Sequence, residues 1–172
     1  LTVNKRATST AAAVSSPVLA GQPAPVTVTV SDVEAAGAKS SPAGTVTLSS
    51  SAAGDSWTPA AACTLVPGAA GVSSCSASVT GNAVGARTLT ASYGGSGAHV
   101  LSSGTASLTI KGNTTTSITG DSPAPSGTGQ PVTVSFTVAP ASPATGSPTG
   151  SVTVTDGTGA TFTAALSAGS CS

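Results

Sequence analysis

Residues 7–30 return, in unbroken register, as residues 115–138. Thr8-Ser9 recurs as Thr116-Ser117, Pro17 as Pro125, and Gly21-Gln22-Pro23 as Gly129-Gln130-Pro131, each pair 108 positions apart. Val26-Thr27-Val28-Thr29-Val30 comes back as Val134-Ser135-Phe136-Thr137-Val138 at the same offset. Further on, Pro42-Ala43-Gly44-Thr45-Val46-Thr47 matches Pro148-Thr149-Gly150-Ser151-Val152-Thr153 at an offset of 106. A fixed period names the building unit before any residue has a role. At roughly 107 residues it is too long for a solenoid and has the size of a small domain repeated along a chain.

The repeat also orders the ends. Leu1-Thr2-Val3 matches Leu108-Thr109-Ile110, and Cys171 matches Cys75 in the middle of the first full copy. The expected division is therefore a tail strand of a preceding repeat at 1–5, a complete domain at 6–110 and the first part of a second domain at 111–172. On this reading the chain is a cutting from a longer tandem array. No signal-peptide pattern opens the sequence, and no apolar run is long enough for a membrane helix.

Within each copy the pattern has period two. Val26, Val28 and Val30 alternate with Thr27, Thr29 and Ser31, and similar alternation runs through 45–48, 76–79, 87–93 and 105–110. Alternating apolar and polar residues put one face of a strand inward, and branched Val and Thr favour the extended backbone. Turn formers separate the runs, among them Ala20-Gly21-Gln22-Pro23, Ser41-Pro42-Ala43-Gly44, Pro67-Gly68 and Gly94-Gly95-Ser96-Gly97. No segment carries a sustained helical stripe. About seven short strands in about a hundred residues predict an all-β chain of β-sandwich domains.

Composition narrows the function. Charged residues are 6% of the chain with a formal net charge of zero, so nothing attracts nucleic acid or an anionic membrane. Aromatic residues are 2%, which leaves no platform for stacking bases or sugars. The hydrophobic 38% is mostly Ala and Val, so a thin core of small side chains is expected. Strands repeating in register argue against disorder, which usually combines low hydrophobicity with high net charge.

The order of a Thr-rich opening, Gly-Gln-Pro before a Val-Thr strand, Pro-x-Gly-Thr/Ser-Val-Thr, and Leu89-Thr90-Ala91-Ser92-Tyr93 before a Gly-rich loop resembles bacterial Ig-like domains. The likeness is to the kind repeated in tandem in large secreted and surface proteins. It implies immunoglobulin-like β-sandwiches with Greek-key connections, the second one incomplete, and neighbouring repeats as partners. Two positions depart from the pattern. His99 stands where the family often has an aromatic residue after the glycine loop. Leu48 occupies the third strand, where antibody domains carry a core Trp, and Trp57 is expected in the loop region beyond it.

Cys63 and Cys75 are the local chemistry with the strongest motive. They flank a hairpin expected at 64–74, and a disulfide closing such a loop contributes about 3 kcal/mol by restricting the unfolded chain. Such a bond implies an oxidising compartment outside the cytosol. Two free buried thiols are the alternative; a zinc site would need four ligands, and His99 is the sole histidine. Cys171 matches Cys75, while the position matching Cys63 is expected near Phe162, which cannot pair.

The remaining candidates read as structural. His99 needs a nucleophile and an orienting carboxylate to act as a base, and Asp32, Glu34, Asp55, Asp121 and Asp156 are scattered. It is expected as a partly buried ring capping one end of the sandwich. Asp32, Glu34 and Asp121 could serve calcium at a repeat junction, but without an Asp-rich run they read as solvated loop carboxylates. Asn113-Thr114-Thr115 is a glycosylation triplet whose use the bacterial resemblance disfavours. Lys39 lies in a loop, and Lys5 and Lys111 at junctions, which disfavours a Lys–Asn crosslink.

The expectation is a non-enzymatic spacer, with no catalytic residue, cofactor or metal, in a secreted or cell-surface protein that presents an adhesive or enzymatic head. The alternative is a binding module, either an adhesin or a carbohydrate-binding accessory of a secreted hydrolase. For that role Trp57 is the candidate ligand contact, because Tyr93 is expected to be committed to the sandwich. Strand donation between chains, using Leu1-Thr2-Val3, is a further alternative.

Overall fold

The computed structural model describes residues 4–156, 158–167 and 170–171. All regular structure there is β. Leu1-Thr2-Val3, read above as a tail strand, lies outside the described residues. Contacts divide the chain into two compact units, with the boundary between Lys111 and Gly112.

Unit 1 runs through β1 (Thr8–Val14), β2 (Val18–Leu19), β3 (Pro23–Asp32), β4 (Thr45–Ser50), β5 (Ser56–Thr58), β6 (Ala62–Thr64), β7 (Val66–Pro67), β8 (Val72–Thr80), β9 (Gly85–Tyr93) and β10 (Ser102–Lys111). One sheet has the order β1-β3-β8-β5, with β7 also on β8; the other has the order β2-β10-β9-β4-β6. Ladders are antiparallel except β2 with β10, where Val18 and Leu19 lie parallel to Ile110 and Lys111. The elements outnumber the seven strands expected because the sheet edges are broken into short pieces. The chain leaves β1 on the first sheet and joins the second as β2, and β5 to β7 divide one connection between the two sheets.

The period-two pattern becomes two inward faces. Ala24, Val26, Val28 and Val30 of β3 and Ala77 and Val79 of β8 are buried, as are Val46 and Leu48 of β4, Leu89, Ala91 and Tyr93 of β9, and Leu108 and Ile110 of β10. Two inward apolar faces sharing one core are compatible with a β-sandwich. Gly104 lets β10 run tight against β1, since a Cβ there would fall 2.2 Å from the Thr10 carbonyl oxygen. The Thr8 hydroxyl donates to the Val100 carbonyl at 2.9 Å, and the Thr8 and Thr10 hydroxyls each meet that of Ser102, at 2.8 and 2.7 Å. β10 thus fastens β1 in register.

Cys63 and Cys75 form a disulfide with a Cα–Cα distance of 5.7 Å. Its setting differs from the hairpin expected at 64–74. Cys63 sits on β6 in one sheet and Cys75 on β8 in the other, and the chain crosses between sheets at buried Leu65. The hairpin is tighter and stays in the first sheet, with Val66 opposite Ser74 and Pro67 opposite Ser73. The bond therefore ties one sheet to the other.

Unit 2 contains β11 (Thr114–Ser122), β12 (Thr133–Pro140), β13 (Ser151–Thr155), β14 (Thr161–Ala165) and β15 (Ser170–Cys171). Its pairings repeat those of unit 1. Phe136 lies opposite Cys171 as Val28 lies opposite Cys75, and Val152 lies opposite Ala164 as Val46 lies opposite Cys63. The Leu166 amide donates to the Gly150 carbonyl at 2.9 Å, as Leu65 does to Gly44. This register sharpens the expected position near Phe162: the counterpart of Cys63 is Ala164, two residues on, which also has no thiol. From Val46 to Cys63 is 17 residues and from Val152 to Ala164 is 12, so unit 2 is five residues shorter where unit 1 carries β5.

One ladder differs between the units. Thr8 lies opposite Asp32, whereas its counterpart Thr116 lies opposite Val138, the counterpart of Val30, and the register shifts again between Ile118 and Gly120. The whole of β11 is exposed.

Replacing Cys63 and Cys75 together by Ala should cost unit 1 about 3 kcal/mol in denaturant unfolding. The unreduced wild-type chain should weigh two hydrogens less than the sum of its residues, and a mass retaining both hydrogens contradicts the bond.

Candidate functional site

The densest polar cluster of unit 1 forms where β3 ends and the loop after β9 folds back. The first residues of the unit join it. Arg6 bridges to His99 in parallel, its amide donating to the Ala98 carbonyl at 2.8 Å while Val100 N–H donates to its carbonyl at 2.9 Å. The Arg6 Nε donates to Asp32 Oδ2 at 2.5 Å, and Nη1 donates to the Ala36 carbonyl at 3.0 Å. Asp32 also accepts backbone N–H bonds from Ser40 at 2.9 Å and Glu34 at 3.0 Å. The Arg6 hydrogen bond holds the Asp32 carboxyl well below the usual carboxylate range, helped by the two backbone donors and opposed by burial. In turn the Arg6 guanidinium is raised above its ordinary value, chiefly by its bond to Asp32.

Two expectations are corrected here. Asp32 is the last residue of β3 and is buried, not a solvated loop carboxylate. His99 is not a partly buried cap: it is 2% exposed, with Asp32 Oδ2 3.9 Å from its Nε2, so a carboxylate is in reach after all. Extending the alternation of Val26, Val28 and Val30 by one step puts Asp32 on the inward face of β3, a signal the loop reading passed over, but nothing local shows that a loop 67 positions on brings His99 to it.

The cluster gathers a serine, a histidine and an aspartate, yet its geometry is that of a lock. Nε2 of His99 lies 3.0 Å from both the hydroxyl and the carbonyl of Ser40. A carbonyl only accepts, so Nε2 carries the proton and cannot take one from the Ser40 hydroxyl. Nδ1 meets the Ser96 hydroxyl at 3.2 Å, and Ser96 Oγ accepts from the Ala98 and His99 amides. Ser96 thus holds Nδ1 and the backbone of the same turn together. Asp32 approaches the same nitrogen as Ser40, whereas a triad places its carboxylate on the opposite one. The loops after β3 and β9 are joined through one buried ring.

A second buried pair closes a different corner. Arg87 Nη1 donates to Asp55 Oδ1 at 2.7 Å, the Ser50 hydroxyl donates to Asp55 Oδ2 at 2.6 Å, and Arg87 Nη2 donates to the Ala83 carbonyl. Gly81 lies directly over this pair, where a Cβ would fall 2.0 Å from Arg87 Nη1.

Trp57 was expected in a loop and is instead the centre of edge strand β5, opposite Val79 on β8. Residues directly opposite in a ladder share a face, and Val79 is fully buried, so the half-buried Trp57 ring lies on the core side. Tyr93 is buried and donates its hydroxyl to the Ala43 carbonyl at 2.9 Å. Asn113 is exposed, with its carbonyl accepting from the Ala141 amide. Among the described residues, no three of His, Cys, Asp and Glu gather as a metal site, and no helix is long and apolar enough to cross a membrane. Comparisons with protein-family models, curated proteins and solved structures return no match to this chain.

Because the folded Asp32 is more acidic than in the unfolded chain, its contribution is present above the unfolded carboxyl pKa of about 3.9 and is lost as pH falls. Wild-type stability should therefore decline below about pH 4. Asp32→Asn should be less stable at pH 7 and show a flatter decline; equal slopes in pH-dependent denaturant unfolding contradict the assignment. Trp57→Ala should leave retention on cellulose and chitin columns unchanged, and a loss of retention would make Trp57 a sugar contact.

Proposed function

We propose that the chain is a stretch of tandem bacterial Ig-like domains acting as a non-catalytic spacer in a secreted or surface protein. The observation that carries this reading is the recurrence of one pairing scheme in both units: Val28 with Cys75 and Phe136 with Cys171, Val46 with Cys63 and Val152 with Ala164. The strand order of unit 1 supports the immunoglobulin-like part, since its first strand is shared between sheets and its β2 segment runs parallel to the last strand. The Tyr93 hydroxyl bond to the backbone is of the kind such sandwiches use at a strand end.

The polar clusters support the non-catalytic part, because Asp32 and Asp55 are each engaged by an arginine and His99 is held by Ser40 and Ser96. The disulfide supports an oxidising, extracytosolic setting. Exposed strand faces of Ser and Thr would keep such a spacer hydrated without charge. Exchanging residues 6–110 for an unrelated sandwich domain of equal length, within the protein that carries them, should leave its surface binding or hydrolysis unchanged. Loss of that activity on exchange would assign the function to this unit itself.

A further inference from the structure

Cys63 and Cys75 stand at the side of unit 1, on strands at the margins of the two sheets. β6 is the last strand of its sheet, paired on one side only, with β4. On the facing sheet, β5 and β7 share the outer edge of β8 without meeting. β5 ends with Thr58 opposite Ser78, and β7 begins with Val66 opposite Ser74. Among the described residues no strand lies against β8 at Ser76, in the gap between them.

That gap is a window onto the disulfide. Val72 turns its main chain to the outer edge of β8, its carbonyl accepting from the Gly68 amide and its amide donating to the Ala69 carbonyl, at 2.9 Å each. Main-chain direction repeats every two residues along a strand, so the Ser76 amide and carbonyl face the same way. A groove of about 480 Å³ opens there, lined by Pro59, Thr64, Val66 and Ser76 together with both cysteines. Cys63 keeps 9% of its surface exposed and Cys75 7%.

The strands that carry the cysteines have pairings of their own. Cys63 lies opposite Val46, and the main chain on either side of it is held: the Leu48 amide donates to the Ala61 carbonyl and the Leu65 amide to the Gly44 carbonyl, at 2.9 Å each. Cys75 lies opposite Val28, inside a run of nine consecutive pairs between β3 and β8. An opened bond therefore leaves its two thiols side by side, placed to close again.

We propose that Cys63–Cys75 is an exchangeable redox site: the folded unit yields the bond to a small dithiol through this window and regains it from a small disulfide, without unfolding. A thiolate of the dithiol attacks one cysteine sulfur. The S–S bond breaks, a mixed disulfide forms, and the other cysteine leaves as a thiolate that takes a proton from water. The second thiolate of the dithiol then attacks the mixed disulfide, frees the remaining cysteine and closes a cyclic disulfide. Two electrons pass from the dithiol to the protein. The reverse sequence, begun by an external disulfide, oxidises both thiols and restores the bond. The tie between the sheets is thus set by the thiol–disulfide balance around unit 1, and this holds whether or not the chain serves as a spacer.

The test is reduction of the intact 172-residue chain by dithiothreitol without denaturant, with iodoacetamide trapping and peptide mapping of Cys63 and Cys75. Direct exchange predicts a rate proportional to dithiothreitol concentration and nearly constant in urea below the unfolding transition. Ile110 is fully buried on β10, at the opposite side of the sheet from β6. Ile110→Val should raise the unfolded fraction of unit 1 about fivefold while leaving the reduction rate unchanged. Glutathione disulfide should then restore the bond in the reduced chain. A rate that climbs with urea in step with global unfolding overturns the proposal, as does one that rises with the unfolded fraction in Ile110→Val. Resistance to dithiothreitol, or failure of the reduced chain to close again, also overturns it.

Discussion

Two sheets faced largely with valine and alanine cannot hold each other firmly by burial alone. Each small side chain removed from water contributes only about 1–2 kcal/mol, against a comparable entropy for ordering each residue. Ties across the interior of unit 1 therefore matter more than the size of its core. The disulfide joins β6 of one sheet to β8 of the other. Arg6, Asp32 and His99 join the opening of the unit to the loops after β3 and β9. Arg87 and Asp55 join β9 to the loop after β4. The fold is a pair of weakly adhesive sheets held by these three fasteners.

Unit 2 shows what the frame does without them. Position for position, Thr114 replaces Arg6, Pro140 replaces Asp32 and Ala164 replaces Cys63, and the segment matching β5 is shortened. The strand pairings survive, so alternation of apolar and polar residues is enough to specify them. What changes is the exactness of the edges: β11 slides along β12, and Ile118, the counterpart of buried Thr10, is 71% exposed. In unit 1 the corresponding strand is pinned by hydroxyl bonds to Ser102 and by the close approach at Gly104. Register at an edge is a tertiary property, set by the strand that packs across it.

How much of this was legible in the sequence follows from the range of each interaction. Val26 to Val30 announced a half-buried strand because alternation is local, and the repeat announced two units because it needs only the chain compared with itself. The pairing of Cys63 with Cys75 was readable from spacing, but its role across two sheets was not, since a crossing at Leu65 leaves no periodic mark. Trp57 read as a loop residue because β5 is three residues long and flanked by turn formers. The Arg6–Asp32–His99 lock was hidden by sequence separation. Asp32 on the inward side of a strand was the signal available, because a carboxylate there demands a cation.

The central claim is that one repeated frame is fastened by three ties in unit 1, while among the described residues of unit 2 the positions of Arg6, Asp32 and Cys63 hold Thr114, Pro140 and Ala164 and supply no such ties. Hydrogen exchange on the intact chain measures this strand by strand. The account predicts that amides of β3, β8, β4 and β9 exchange only through global unfolding of unit 1, while those of β12 and β13 exchange far faster through local opening. Uniform protection from β1 through β14 would contradict it, because unit 2 would then be fastened as firmly as unit 1.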